Sequence, residues 1–157
     1  MKPQSKSRFL LFVTLTFAWM AVIFLFSAQN GEESSGMSAK LLSLLSRVFR
    51  FSPSPDAEAM LSFLVRKAAH MTEFGVLALL WLGTLCAASG KAKWTYPAAF
   101  ALSSVYAATD EFHQLFVSGR AGRVTDWLID SSGAVLFLWF GWAVIQMIGN
   151  KNTNSKG

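Results

Sequence analysis

The sequence predicts an all-α integral membrane protein with four transmembrane helices, both termini inside, and a short interfacial amphipathic helix between the first and second spans. Three observations predict it. Of 157 residues, 53% are hydrophobic and only 15% charged, at a mean hydropathy of +0.40, which is more apolar surface than a soluble domain of this length can bury. Uncharged runs of spanning length recur along the chain. Six Trp and fourteen Phe suit lipid-facing and interface-anchoring positions.

Phe9 to Phe26 is the first span, eighteen uncharged residues behind Lys2, Lys6 and Arg8. It reads as an uncleaved anchor, because cleavage after Ala28 would put bulky Phe26 at the minus-three position, where a small residue is needed. Asn30 to Gly36 reads as a turn-rich break. Met37 to Phe51 then repeats Leu41, Leu42, Leu44, Leu45, Val48 and Phe49 at helical spacing among Lys40, Arg47 and Arg50. Too short and too polar to cross, this segment is expected in the interface, ended by the Ser-Pro-Ser-Pro run at Ser52 to Pro55. The second span is Ala68 to Ala88, the third Trp94 to Phe116 and the fourth Trp127 to Ile148, completing one domain over residues 1–150. Residues 151–157 read as a disordered polar tail.

Orientation follows from charge. With the amino terminus inside, Lys2, Lys6, Arg8, Lys91, Lys93, Lys151 and Lys156 lie inside, and the other seven basic residues outside. The tie is broken because all nine acids fall on the outer side, leaving the inner cations uncompensated and close to the spans. A net charge of +5 does not indicate nucleic acid, since the basic residues are scattered in loops without a basic face or an aromatic-interleaved patch. The lone Cys86 sits in an apolar run, as a small hydrophobe would.

The ionisable residues of the last three spans gather at one end of each. They are Arg66, Lys67, His70 and Glu73; Asp110, Glu111, His113 and Gln114; and Asp126 and Asp130. Arg66, His70 and Glu73 lie at i, i+4 and i+7, Asp110 and Gln114 at i and i+4, and Asp126 and Asp130 at i and i+4, so each set makes one face. Intramembrane ionisable groups face protein or water rather than lipid, so a shared, outward-opening polar pocket follows. Glu73, Asp110 and Asp130 are expected to share one level in it.

RKAAHMTEFGVLALL at Arg66 to Leu80, followed by YAATDEFHQLFVSGRAGRVTDWLIDSSGAVL at Tyr106 to Leu136, resembles the VanZ-like family of bacterial membrane proteins. The resemblance extends to FSAQNGEESSGMS after the first span. It implies a multi-pass protein of the bacterial cytoplasmic membrane acting at the cell envelope, in a family whose founding member is associated with lowered susceptibility to the glycopeptide teicoplanin. Lys67, His70, Glu73, Asp110, Glu111, His113, Gln114, Arg120, Asp126 and Asp130 match the family's motif positions. Phe74 stands where many members have Tyr, which would remove a hydroxyl from the pocket, and Ala121 and Arg123 vary the loop.

Several chemistries compete for this cluster. Structural stapling would pair Arg66 or Lys67 with Asp110 or Asp126. The SGRAGR loop, Ser118 to Arg123, offers glycine backbone N–H groups and two guanidiniums to an anion, against the plainer reading of a tight turn whose arginines reach for lipid headgroups. A metal centre at His70, Glu73, Asp110, His113 and Asp130 has weak support, since no HExxH-type motif is present, and no metal or cofactor is expected. Ser118, Ser131 and Ser132 lack a nucleophile motif. Proton-coupled transport lacks a relay through the inner halves of the helices. The favoured expectation is a pocket of Lys67, His70, Glu73, Asp110, Glu111, His113, Gln114, Arg120, Arg123, Asp126 and Asp130 that binds an anionic lipid-linked or cell-wall precursor among membrane lipids. The alternative is a membrane-embedded hydrolase or transferase acting on a phosphoryl or glycan group, with Glu111 or His113 as general base.

Overall fold

The computed structural model describes residues 3–90 and 93–154, and the chain there is helical: α1 (Pro3–Ser27), α2 (Gly31–Phe49), α3 (Pro55–Ser89), α4 (Thr95–Gln114) and α5 (Val124–Asn154). Lys2, Lys91, Lys156 and the end of the predicted tail, 155–157, lie outside the described residues. Three helices, α1, α3 and α5, are long and apolar enough to cross a membrane, over Lys6–Ser27, Pro55–Ser89 and Val124–Met147. The third expected span, α4, falls outside that set because Asp110, Glu111, His113 and Gln114 crowd its last turn, several of them buried against protein.

Contacts between side chains and backbone fix how the four long helices run. Thr16 meets Thr84 at 3.1 Å and the Trp19 indole N–H donates to the Glu73 carbonyl at 2.9 Å, so α1 and α3 are antiparallel. Ser103 on α4 donates to the Phe74 carbonyl at 2.9 Å, and Ser104 meets Ser131 on α5 at 2.9 Å. Gly75 faces Phe137 and Gly133 faces Met71, an offset that makes α3 and α5 parallel. The result is an alternating four-helix bundle with α3 at its centre.

The core follows from the requirements of packing in lipid, where helix association rests on close van der Waals contact and interhelical hydrogen bonds rather than on transfer from water. Ala78, Leu82, Ala99, Ala134 and Leu138 form one buried cluster, and Ile23, Phe74, Leu77 and Ala107 another nearer the polar end. Small side chains bring backbones together: a Cβ on Gly133 would overlap the Met71 carbonyl itself.

Several boundaries differ from expectation. Asn30 to Gly36 is no break, because Asn30 caps α2. Its side chain accepts the Glu33 N–H at 2.9 Å while Glu33 accepts the Asn30 N–H at 3.2 Å, a reciprocal capping box that starts the helix at Gly31. The second span begins 13 residues early: Ser54 caps the helix with Pro55 at its first position, so α3 has 35 residues, about 52 Å at the helical rise. Helix α4 stops at Gln114, before Phe116, and α5 continues past Ile148 to Asn154, so the expected tail is helical over its first four residues. Ser-Pro-Ser-Pro does separate α2 from α3, with Arg50 in the left-handed region at φ 54° closing α2.

Candidate functional site

The polar ends of α3, α4 and α5 meet around a cavity of about 460 Å³. Helix α3 contributes Arg66, Lys67 and His70, α4 contributes Glu111 and Gln114, the following loop contributes Arg120 and Arg123, and α5 contributes Asp126 and Asp130. Asp126 and Asp130 share one face at i and i+4, as their spacing requires. A smaller cavity of about 190 Å³ lies under α2, where Arg66, His70 and Glu73 line one face of α3 beside Arg120.

Within this assembly, Lys67 Nζ lies 2.7 Å from Asp126 Oδ2, joining α3 to α5. The stapling expected of Lys67 is therefore present. His70 Nδ1 and Glu73 Oε2 are 3.6 Å apart. Gln114 donates to Asp110 Oδ2 at 2.9 Å, and Asp130 is 2% exposed, its Oδ2 lacking a hydrogen-bond partner among the described residues. Asp110 interacts electrostatically with both Glu73 and Asp130, so the three acids share a neighbourhood, although neither Glu73 nor Asp110 lines the larger cavity.

The loop between α4 and α5 is built by close backbone approach. Gly119, at φ +70°, lies against Gly31, whose N–H donates to the Ser118 carbonyl at 3.0 Å, tying the loop to the start of α2. Two loop amides are used internally: Arg123 N–H donates to Glu111 Oε2 at 2.8 Å and Arg120 N–H to the Val117 carbonyl at 3.1 Å. An anion held here would therefore meet guanidiniums rather than those two amides. Arg120 also does not reach outward to headgroups. It turns in to the end of α1, donating through a terminal nitrogen to the Phe26 carbonyl in the last turn at 3.3 Å and through Nε to the Gln29 carbonyl just beyond it at 3.2 Å. Burial, and then the nearby Arg66, push this guanidinium below its ordinary range, against the opposing pull of Asp110, Glu111 and Glu73.

Other expected site residues are placed elsewhere. The His113 ring packs on Phe24 of α1 at 4.8 Å between centroids and lines neither cavity. Phe74 is wholly buried beside Tyr106, Leu77 and Ile23, so its missing hydroxyl is a matter of the core and not of the pocket. Ser131 bonds Ser104, and Ser132 donates to the Ile129 carbonyl at 2.6 Å, while Ser118 takes part through its carbonyl. Among the described residues, no three His, Cys, Asp or Glu side chains are grouped closely enough to hold a metal ion. The contribution of α2 to the smaller cavity, through Ser34, Met37, Ser38 and Leu41, was hidden from a reading of charge alone.

A family model described as VanZ/LLP1 matches residues 12–146. No curated protein and no solved structure matches the chain.

Proposed function

The chain belongs to the VanZ/LLP1 family, and on that premise we propose that it is an envelope protein of the bacterial cytoplasmic membrane whose outward-facing cavity binds the anionic group of a lipid-linked or cell-wall precursor. One observation carries the reading. Arg66, Arg120 and Arg123 line a single cavity, and among the described residues none of the three forms an ion pair with a carboxylate. Guanidiniums without carboxylate partners favour an anion and match phosphate oxygens in a bidentate geometry. Altered susceptibility to teicoplanin is one cellular readout of such binding.

Binding has more support than hydrolysis or transfer, because the two candidate bases fare differently. His113 is stacked away from the cavity, and the Glu111 carboxylate is committed to holding the Arg123 backbone. Arg66→Ala combined with Arg123→Ala is the direct test, since it leaves Arg120 to cap α1. Native mass spectrometry of protein released gently from its own membranes should show an anionic lipid or lipid-linked glycan retained by the wild type, with occupancy reduced about tenfold or more in the double variant. Equal retention by both proteins would remove the basis of the proposal.

The outward orientation, with α4 as a fourth span and both termini inside, completes the proposal. Lys6, Arg8 and Lys93, cations with no acid near them in sequence at the opposite end of the bundle, support it. In a Cys86→Ala background, Ser118→Cys should react with a membrane-impermeant maleimide added to intact cells. Labelling only after the membrane is permeabilised would reverse the orientation.

A further inference from the structure

The charges around the larger cavity are unevenly partnered. Its three arginines are half-buried or exposed, whereas Asp130 lies deep: it follows Asp126 by one helical turn on the same face of α5, and exposure falls from 21% at the Asp126 side chain to 2% at Asp130. The other two carboxylates lining the cavity are engaged. Asp126 meets Lys67 at 2.7 Å, and Glu111 accepts the Arg123 N–H at 2.8 Å. Asp130 is not: among the described residues no ion pair reaches it, and its buried Oδ2 accepts no hydrogen bond. Neighbouring charge does not compensate it either. Glu111, Asp110 and Asp126 act on it as like charges, and the opposing cation, Lys67, is already held by Asp126. A carboxylate taken out of water in this way is costly until a cation or hydrogen-bond donors meet it.

Resting on the anion-binding reading, we infer that the ligand carries a primary ammonium beside its phosphate, and that Asp130 receives the ammonium while the arginines hold the phosphate. Both groups belong to one chamber. Asp130 and the three arginines line the same cavity, whose volume of about 460 Å³ holds a short headgroup entire. The cavity is polarised, with guanidiniums toward solvent and a carboxylate at depth, so a dipolar ligand enters it ammonium first. An ammonium suits this carboxylate better than a hydroxyl does. A hydroxyl satisfies one oxygen and leaves the charge in place, whereas an ammonium brings three N–H donors and the opposite charge together. The aminoethyl phosphate of a lipid headgroup and the phosphate of an amino sugar share this chemistry.

The test is titration calorimetry on the full chain in dodecyl maltoside, a detergent without phosphate or amine, with three probes of matched size: phosphoethanolamine, 2-hydroxyethyl phosphate and ethyl phosphate. Phosphoethanolamine is expected to bind the wild type about tenfold more tightly than either of the others. Asp130→Asn, which keeps the side-chain volume, should erase that preference and leave ethyl phosphate affinity as it was. The three probes on the wild type decide the matter if the variant does not fold. Ethyl phosphate binding as tightly as phosphoethanolamine overturns the inference and leaves the anion site standing, and so does 2-hydroxyethyl phosphate matching the amine. An Asp130→Asn protein that still prefers the amine overturns the role of Asp130. Binding of none of the three overturns the anion-binding reading and this inference with it. Glycerophosphoethanolamine against glycerophosphoglycerol, and glucosamine 1-phosphate against glucose 1-phosphate, then separate a lipid headgroup from an amino sugar; no preference for the amine in either pair overturns the inference.

Discussion

Gly133→Leu is expected to unfold the bundle or leave it unable to assemble, the largest effect of any single substitution considered. Helices α3 and α5 make the most extensive contact in the molecule, and at Gly133 they approach so closely that a Cβ would overlap the Met71 carbonyl. The obstacle is backbone rather than a flexible side chain, so relief requires moving a whole helix. Overpacking a core costs about 1–3 kcal/mol where neighbours can shift, and this site should exceed that range. Separation of α3 from α5 would also pull apart the two walls carrying Lys67 and Asp126, so ligand retention should fail with stability. Gly36→Leu provides the control, because nothing lies within 4 Å of a Cβ there. Tryptophan fluorescence melts in detergent, with size-exclusion profiles, should show Gly36→Leu close to wild type and Gly133→Leu without a cooperative transition. A Gly133→Leu protein that melts like wild type would mean that the α3–α5 contact is wrong.

How much of this was legible in the sequence depends on whether the deciding interaction is local. Helix placement was read from apolar runs and charge spacing, and the faces at Arg66/His70/Glu73 and Asp126/Asp130 follow from helical periodicity alone. The early starts of α2 and α3 are also set locally. Asn30 with Glu33, and Ser54 with Pro55, are capping signals that a reading of hydropathy treats as turn residues. By contrast, the direction of Arg120, the stacking of His113 on Phe24 and the burial of Phe74 depend on α1, which carries no charge within its apolar run and so gives no sign of what packs against it. Which helix ends meet at the cavity therefore follows from local spacing, and which side chains turn into it does not.

The second large effect concerns Lys67. Lys67→Met should destabilise the protein by about 2 kcal/mol, because breaking a buried pair costs roughly 3–5 kcal/mol and here both partners are about one-fifth exposed. The loss is greater than one contact suggests: Lys67 acts electrostatically on Glu111 and Asp130 as well as on Asp126, and its removal leaves three acids at one end of the bundle without their shared cation. Asp126→Asn should cost less, since Lys67 retains those two other acids. The double variant should therefore recover part of the Lys67→Met loss, a coupling of about 1 kcal/mol in a double-mutant cycle of denaturant or thermal unfolding. Strictly additive losses would show that the 2.7 Å contact does not hold α3 to α5. The same set of proteins separates the two roles open to this lysine. A stapling role predicts that the double variant regains ligand retention along with stability, whereas direct contact with the anion predicts that stability returns in part and retention does not. With three arginines around the cavity lacking a carboxylate partner among the described residues while Lys67 has one, the proposed function expects the first result, in which the arginines would hold the ligand and Lys67 the wall from which Arg66 projects.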